Sequence, residues 1–299
     1  MKQSGPVLIV RSRAASALFT FPASKAGLKA RTLTIGLSAC LAMFVASSTL
    51  GSERAAPTAT SAPVTHVIEL FTSQGCSACP PAEALLTDLA DEPGILPLAY
   101  HVDYWDYIGW SDTHGAPENT ARQEAYGVSF DISTLYTPQM VIDGRRQVAG
   151  GQAEAVREII DTLPEIVSTG KASVSARIVG DDVKITASMT DVDTRGPMPV
   201  LIVVSYDRSA QTVVTRGANR GRTLVETHPV RDWRILGAWS GEPMKIRLPL
   251  ATLTEGAHGD NGFAIFIQTM SKLGKPGAIL AAARLDLTAA HGSASAVRD

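Results

Sequence analysis

Cys76-Ser77-Ala78-Cys79 places two thiols three residues apart, directly ahead of Pro80 and Pro81. A thiolate attacks a disulfide sulfur and forms a mixed disulfide, which a second nearby thiol can resolve. Proline is well placed in a first helical turn, and Ala82, Leu85, Leu86 and Leu89 then share one helical face. A helix starting here is expected to aim its unpaired N–H groups and its dipole at Cys76. That holds the sulfur as an anion and lowers its pKa below the free value of about 8.5. Cys76 is the candidate attacking thiol and Cys79 the candidate resolving thiol. The third cysteine, Cys40, lies far upstream, so a four-thiolate zinc site is excluded. No metal site is expected, since His114, His228 and His258 show no metal-ligand spacing. Two other uses of the pair stay open. Two thiolates suit Cu(I), and a structural disulfide needs no chemistry at all. A loop this short gains only about 2 kcal/mol from closure in the chain-entropy model, which favours redox use.

The elements around the pair follow from periodicity and turn residues. His66 to Phe71 is β-branched and apolar, a buried strand, with Glu69 inside it. Pro93-Gly94 ends the helix, and Ile95 to Val102 forms a second strand. A long, irregular and partly helical stretch leads to Thr137-Pro138. Asp143-Gly144 then makes a tight turn between Gln139–Ile142 and Gln147–Ala149, a hairpin. Val156, Ile159, Ile160 and Leu163 return to helical spacing before Gly170. Tyr104, Trp105, Tyr107 and Trp110 gather after the second strand, beside His101, Asp103 and Asp106. Such a concentration reads either as the wall of a ligand groove, with Trp105 in it, or as a loop folded on the core. His101 by itself reads as a structural histidine.

The segments Glu-Leu-Phe-Thr-Ser-Gln-Gly-Cys (69–76), His-Val-Asp-Tyr-Trp-Asp-Tyr (101–107) and Tyr-Thr-Pro-Gln-Met-Val-Ile-Asp-Gly (136–144) resemble an exported bacterial thioredoxin-like family, domain of unknown function 1223. The resemblance covers roughly residues 65 to 288. It implies a thioredoxin-like fold, with Pro138 in a cis bond beside the cysteines and Thr137 offering backbone hydrogen bonds to an extended substrate. It also implies that Glu69 is a buried acid, the general base for Cys79. The other reading of Glu69 is a carboxylate hydrogen-bonded at a strand edge.

Past Gly170 the texture changes. Ser173–Val179 and Val183–Met189 alternate across Gly180-Asp181-Asp182, and Pro199–Tyr206, Gln211–Arg216, Met244–Leu250, Gly262–Thr269 and Ala278–Leu287 add further strands. This predicts a sandwich-like all-β domain. Arg216-Gly217-Ala218-Asn219-Arg220-Gly221-Arg222 is a basic loop without the Lys-Ser or Lys-Thr ending of a P-loop. It reads either as an anion-binding face or as a solvated turn.

The first 51 residues carry six basic side chains, the last of them Arg31, and no acidic one, and the stretch from Thr32 to Ser52 is uncharged. That pattern fits a secretory signal, or an N-terminal membrane anchor if the segment is retained. Without it the chain has 21 basic against 29 acidic residues, net −8, which argues against nucleic-acid binding. The expected organisation is a leader over 1–52 and a linker over 53–64. An α/β thioredoxin-like domain over 65–170 and an all-β sandwich-like domain over 171–290 follow, then a disordered tail over 291–299. The expected function is a periplasmic or secreted thiol–disulfide oxidoreductase. Its partner is a protein or small-molecule thiol or disulfide, and it uses no organic cofactor. The alternatives are a non-catalytic thioredoxin-fold binding module and a Cu(I)-handling protein.

Overall fold

The computed structural model describes residues 61–167, 170–190 and 196–287. The leader, most of the linker and the expected tail lie outside the described residues. Among the described residues no helix is long and apolar enough to cross a membrane.

The first half runs β1 (Ala62–Pro63), β2 (His66–Thr72), α1 (Pro80–Ala90), β3 (Ile95–His101), α2 (Pro117–Ser129), β4 (Gln139–Ile142), β5 (Arg146–Ala149) and α3 (Ala153–Thr162). A four-stranded sheet has the order β3-β2-β4-β5, with β2 and β3 parallel and the other pairs antiparallel. Side chains alternate across a strand, so the two faces of β2 differ. Ile68 and Leu70 pack under the apolar stripe of α1 and Val156 of α3. Val67 and Phe71 face the other way.

The second half runs β6 (Ala172–Val179), β7 (Asp182–Met189), β8 (Met198–Asp207), β9 (Ser209–Val213), β10 (Thr223–Thr227), β11 (Val230–Ala238), β12 (Met244–Pro249), α4 (Leu250–Thr254), β13 (Asn261–Met270) and β14 (Pro276–Leu287). A five-stranded sheet has the order β1-β14-β13-β8-β11, a three-stranded one β12-β7-β6, and β9 and β10 pair as a hairpin. The five-stranded sheet is covered on both faces. Leu201, Val203, Phe263 and Ile265 pack on Ile178, Val183 and Ile185 of the three-stranded sheet. Ile202, Val204 and Phe266 pack on Val67, Phe71, Leu98 and Tyr100 of the four-stranded sheet. That double burial explains the unbroken apolar run of β8.

The halves therefore share one core across the change of texture near residue 170. The expected linker is also shorter than 53–64. Ala62 and Pro63 pair with Arg284 and Ala283, and Val64 is buried. The turn after β4 docks on β14. A Cβ added to Gly144, where φ is +63°, would lie 2.1 Å from the carbonyl oxygen of Gly277. Only glycine fits there.

At the junction a buried guanidinium is enclosed by both halves. Arg122 Nε donates to Glu69 Oε1 at 2.7 Å, and Arg122 Nη2 donates to Gln268 Oε1 at 3.0 Å. The rings of Tyr100, Tyr126, Trp233 and Phe266 stand 5.1–5.8 Å from its central carbon. Removing one partner of a buried ion pair leaves an uncompensated charge. Arg122→Ala is expected to lower the unfolding free energy by about 3–5 kcal/mol in urea titration. The double change Arg122→Met with Glu69→Leu is expected to recover part of that loss.

Candidate functional site around the cysteine pair

Cys76 and Cys79 form a disulfide just before α1, with Cys79 as the residue that precedes the helix. The loop is closed locally, since Cys76 N donates to Ser73 O at 3.0 Å and Cys79 N to Cys76 O at 3.3 Å. Cys76 Sγ lies 3.8 Å from the carbonyl oxygen of Thr137. The Thr137–Pro138 bond is cis. Trp105 Nε1 donates to Thr137 Oγ1 at 2.7 Å. Cys76, Cys79, Thr137, Pro138 and Trp105 are thus brought together.

Glu69 is not brought to them. It points from the β2 face opposite α1, where Arg122 and the Tyr126 hydroxyl hold its carboxylate. The expected general base for Cys79 lies across the sheet from the sulfur, because strand side chains alternate. The expected array of free helix donors at Cys76 is also not formed. Pro80 and Pro81 have no N–H, and the N–H groups of Ala82 and Glu83 are both bonded to Cys79 O.

Both cysteines are 1% exposed. The basic loop between β9 and β10 lies over them. Asn219 Nδ2 donates to the carbonyls of Gln74 and Cys76, each at 2.9 Å, and Asn219 is itself buried. The loop is therefore a solvated turn tied down at one residue, with Arg216, Arg220 and Arg222 exposed and Asn219 turned inward. Gln74 extends the clamp, since its amide nitrogen donates to Glu226 Oε1 at 2.9 Å and its amide oxygen accepts from Trp110 Nε1 at 2.9 Å. The aromatic stretch divides accordingly. Trp105 and Trp110 brace the site, and Tyr107 is 82% exposed.

On the Cys79 side, α1, the end of β3 and β10 bound a cavity of about 370 Å³, lined among others by Cys79, Glu83, His101 and Glu226. His101 Nδ1 meets Asp112 Oδ2 at 2.9 Å, both side chains buried. Burial pulls the imidazole down, but the Asp112 charge and hydrogen bond outweigh it and lift His101 to about 9. Burial likewise pushes Asp112 up, yet His101 and the backbone N–H groups of Gln74 and His114 bring it to about 2. Burial raises Glu83 against the pull of His101, and raises Glu226 to about 7. Gln74, Glu83, Asp112, Asn219 and Glu226 escaped sequence reasoning. The available signals were an acidic residue in the first turn of α1 and a lone asparagine among arginines. Among the described residues no group of three or more His, Cys, Asp or Glu side chains is arranged to hold a metal ion.

Two expectations follow. Losing the two Asn219 bonds, worth about 1 kcal/mol each, loosens the cover. Asn219→Ala is expected to speed reduction of the disulfide by dithiothreitol about fivefold or more, followed by thiol labelling. His101 has its folded value above its ordinary 6.5, so its contribution to stability is full below that pH and fades as pH climbs through about 9. Asp112 has its value below the ordinary 3.8, so its contribution is present above 3.8 and is lost as pH falls through about 2. Asp112→Asn is therefore expected to lower the thermal midpoint most between those two ordinary values, 3.8 and 6.5, with the deficit narrowing toward pH 9.

A crystal structure of a protein from Agrobacterium tumefaciens resembles this chain with a TM-score of 0.63 at 31% identity, covering 75% of this chain and 95% of that one. HBP35 of Porphyromonas gingivalis resembles it with a TM-score of 0.52 at 13% identity, covering 79% of each chain, a likeness of fold alone. No curated protein matches the chain. Residues 67–268, a span that holds the cysteine pair, Pro138 and Asn219, match the family described as protein of unknown function (DUF1223), and the chain belongs to that family.

Proposed function

We propose that this chain is an exported thiol–disulfide oxidoreductase, built from a thioredoxin-like domain and a sandwich-like β domain that share a core. The observation that carries the reading is the disulfide at the start of α1 with Cys76 Sγ 3.8 Å from Thr137 O. That carbonyl precedes Pro138 at the start of β4, where an extended substrate can add its backbone. Export rests on the basic, acid-free N-terminus and on a disulfide that persists in an oxidising compartment. In the exchange step a substrate thiolate attacks Cys76 Sγ. The Cys76–Cys79 bond breaks, a bond forms between substrate sulfur and Cys76, and Cys79 leaves as a thiolate. Glu83, whose carboxyl is pushed up by burial, lines the same cavity as Cys79 and is the acid placed to exchange a proton with it. A second substrate thiolate then releases the first as a disulfide and leaves the enzyme as a dithiol. The mechanism uses no organic cofactor.

The 1% exposure of both sulfurs favours a second reading, a binding module whose disulfide is structural. Equilibration with glutathione redox buffers separates the two. An oxidoreductase is expected to show a potential between about −270 and −120 mV, loss of insulin-reducing or thiol-oxidising turnover in Cys76→Ser, and a trapped mixed disulfide in Cys79→Ser. A potential below about −300 mV with no exchange assigns the pair to structure.

A further inference from the structure

The cavity beside Cys79 carries more polar groups than the exchange step uses. Glu83 Oε2, His101 Nε2 and Glu226 Oε2 are buried and make no hydrogen bond. They belong to α1, β3 and β10, and all three residues line the one cavity. His101 and Glu226 are each 1% exposed. Their remaining polar atoms are committed elsewhere, His101 Nδ1 to Asp112 and Glu226 Oε1 to the Gln74 amide. A buried polar atom left without a partner costs about 1–3 kcal/mol, so two carboxylate oxygens converging on one space as open acceptors are poorly accounted for by stability alone. The cavity also opens to solvent between the side chains of α1 and β10, past Ala84, Thr87 and Val225.

Charge identifies the kind of occupant. Glu83, Asp88 and Glu226 line the cavity, and no Lys or Arg does. Its one cationic group, His101, is matched by Asp112 behind it. His114 packs edge-on against His101 and is held neutral, pushed down to about 4 by burial and by the neighbouring imidazolium. The surplus is therefore acceptor and acidic. A metal ion does not fit, since no group of three ligating side chains is gathered for one among the described residues.

We propose that this cavity is a binding site for a small organic cation, an alkylammonium or guanidinium group held between the carboxylates of Glu226 and Glu83. A guanidinium carries N–H donors in a planar fork, enough for both unpartnered carboxylate oxygens. The cation arrives either on a free small molecule or as an arginine side chain of a peptide. The site shares Glu83 and the cavity wall at Cys79 with the proposed exchange step, but it does not require the disulfide to turn over.

Binding is linked to protons. Burial above all holds Glu226 near 7, with Glu83 and Asp112 adding to the rise and His101 and Gln74 opposing it. A cation needs the ionised form, so it displaces a proton below that pH and binds more tightly as pH rises through 7.

The test is isothermal titration of the oxidised full chain with agmatine, with N-acetyl-argininamide, and with 1-butanol as a neutral control. The expected result is saturable binding of a guanidinium probe that strengthens about twentyfold from pH 5.5 to 7.5, the change for one proton released from a group near 7. Glu226→Gln is expected to weaken it about thirtyfold, the loss of one partner of a desolvated charge pair. Ala84→Trp, at an exposed position on α1, is expected to block it without touching the core. Tighter binding of the argininamide assigns the site to a peptide side chain, and tighter binding of agmatine to a free molecule. Absence of saturable binding overturns the proposal. So does butanol binding as well as agmatine, or binding that survives both Glu226→Gln and Ala84→Trp.

Discussion

A guanidinium with no access to water organises this molecule. Arg122 stands on α2, its carboxylate partner Glu69 on β2, its amide partner Gln268 on β13, and its surrounding rings on β3, α2, β11 and β13. A buried charge persists only if every donor is answered and the geometry is held. Here the answer comes from both halves of the chain, so neither half can complete the arrangement by itself. Gln268 closes the set, because its amide nitrogen donates to the Tyr126 hydroxyl and to Gly277 O while its oxygen accepts from Arg122. The apolar cluster around this network joins the four-stranded and five-stranded sheets. The packing of one on the other is thereby fixed at a polar point inside an apolar layer.

The same division of labour appears at the cysteines. The sulfurs and the helix after them belong to the first half, but the cover belongs to the second. Asn219 and Glu226 reach across to Gln74 and Cys76, while Trp110 and Thr113 fix Gln74 from its own half. A sulfur attached to a rigid β2–α1 connection and shielded by a loop from a distant strand pair is governed by how firmly that loop is held. Access to the disulfide is in this way a property of the β part of the chain, although both sulfurs lie in the α/β part.

What was legible in the sequence followed local rules. The apolar stripe of α1, the Asp143-Gly144 hairpin and the alternation of β6 and β7 each obey a period or a turn preference visible in a few residues. Helix α2 escaped clear definition because its buried face is polar. Asn119, Arg122 and Gln123 point inward, which erases the apolar stripe on which helices are recognised. Strand β11 escaped because register shifts between Val230 and Asp232 and between Ile235 and Gly237 break the two-residue repeat. Asn219 is a short polar residue in a loop of glycines and arginines, and its meaning is a contact 143 residues away in the chain.

Glu69 and Glu83 show how one parity decides a chemical assignment. Both are acids near the cysteines in sequence, and Glu69 drew attention because a carboxylate inside an apolar strand demands an explanation. The explanation is Arg122, a partner that no local pattern announces. Which side of β2 receives α1 depends on how the chain crosses from β2 to β3, a property of the assembled sheet. Once α1 packs on Ile68 and Leu70, Glu69 is committed to the opposite face and Cys79 is left with the groups that share its own. Those are Glu83 one helical turn on, His101 at the end of β3, and Glu226 from the strand that closes the cavity. The acids that share the cavity with Cys79 are therefore chosen by the packing of the helix, and the acid inside the strand serves to join the two sheets.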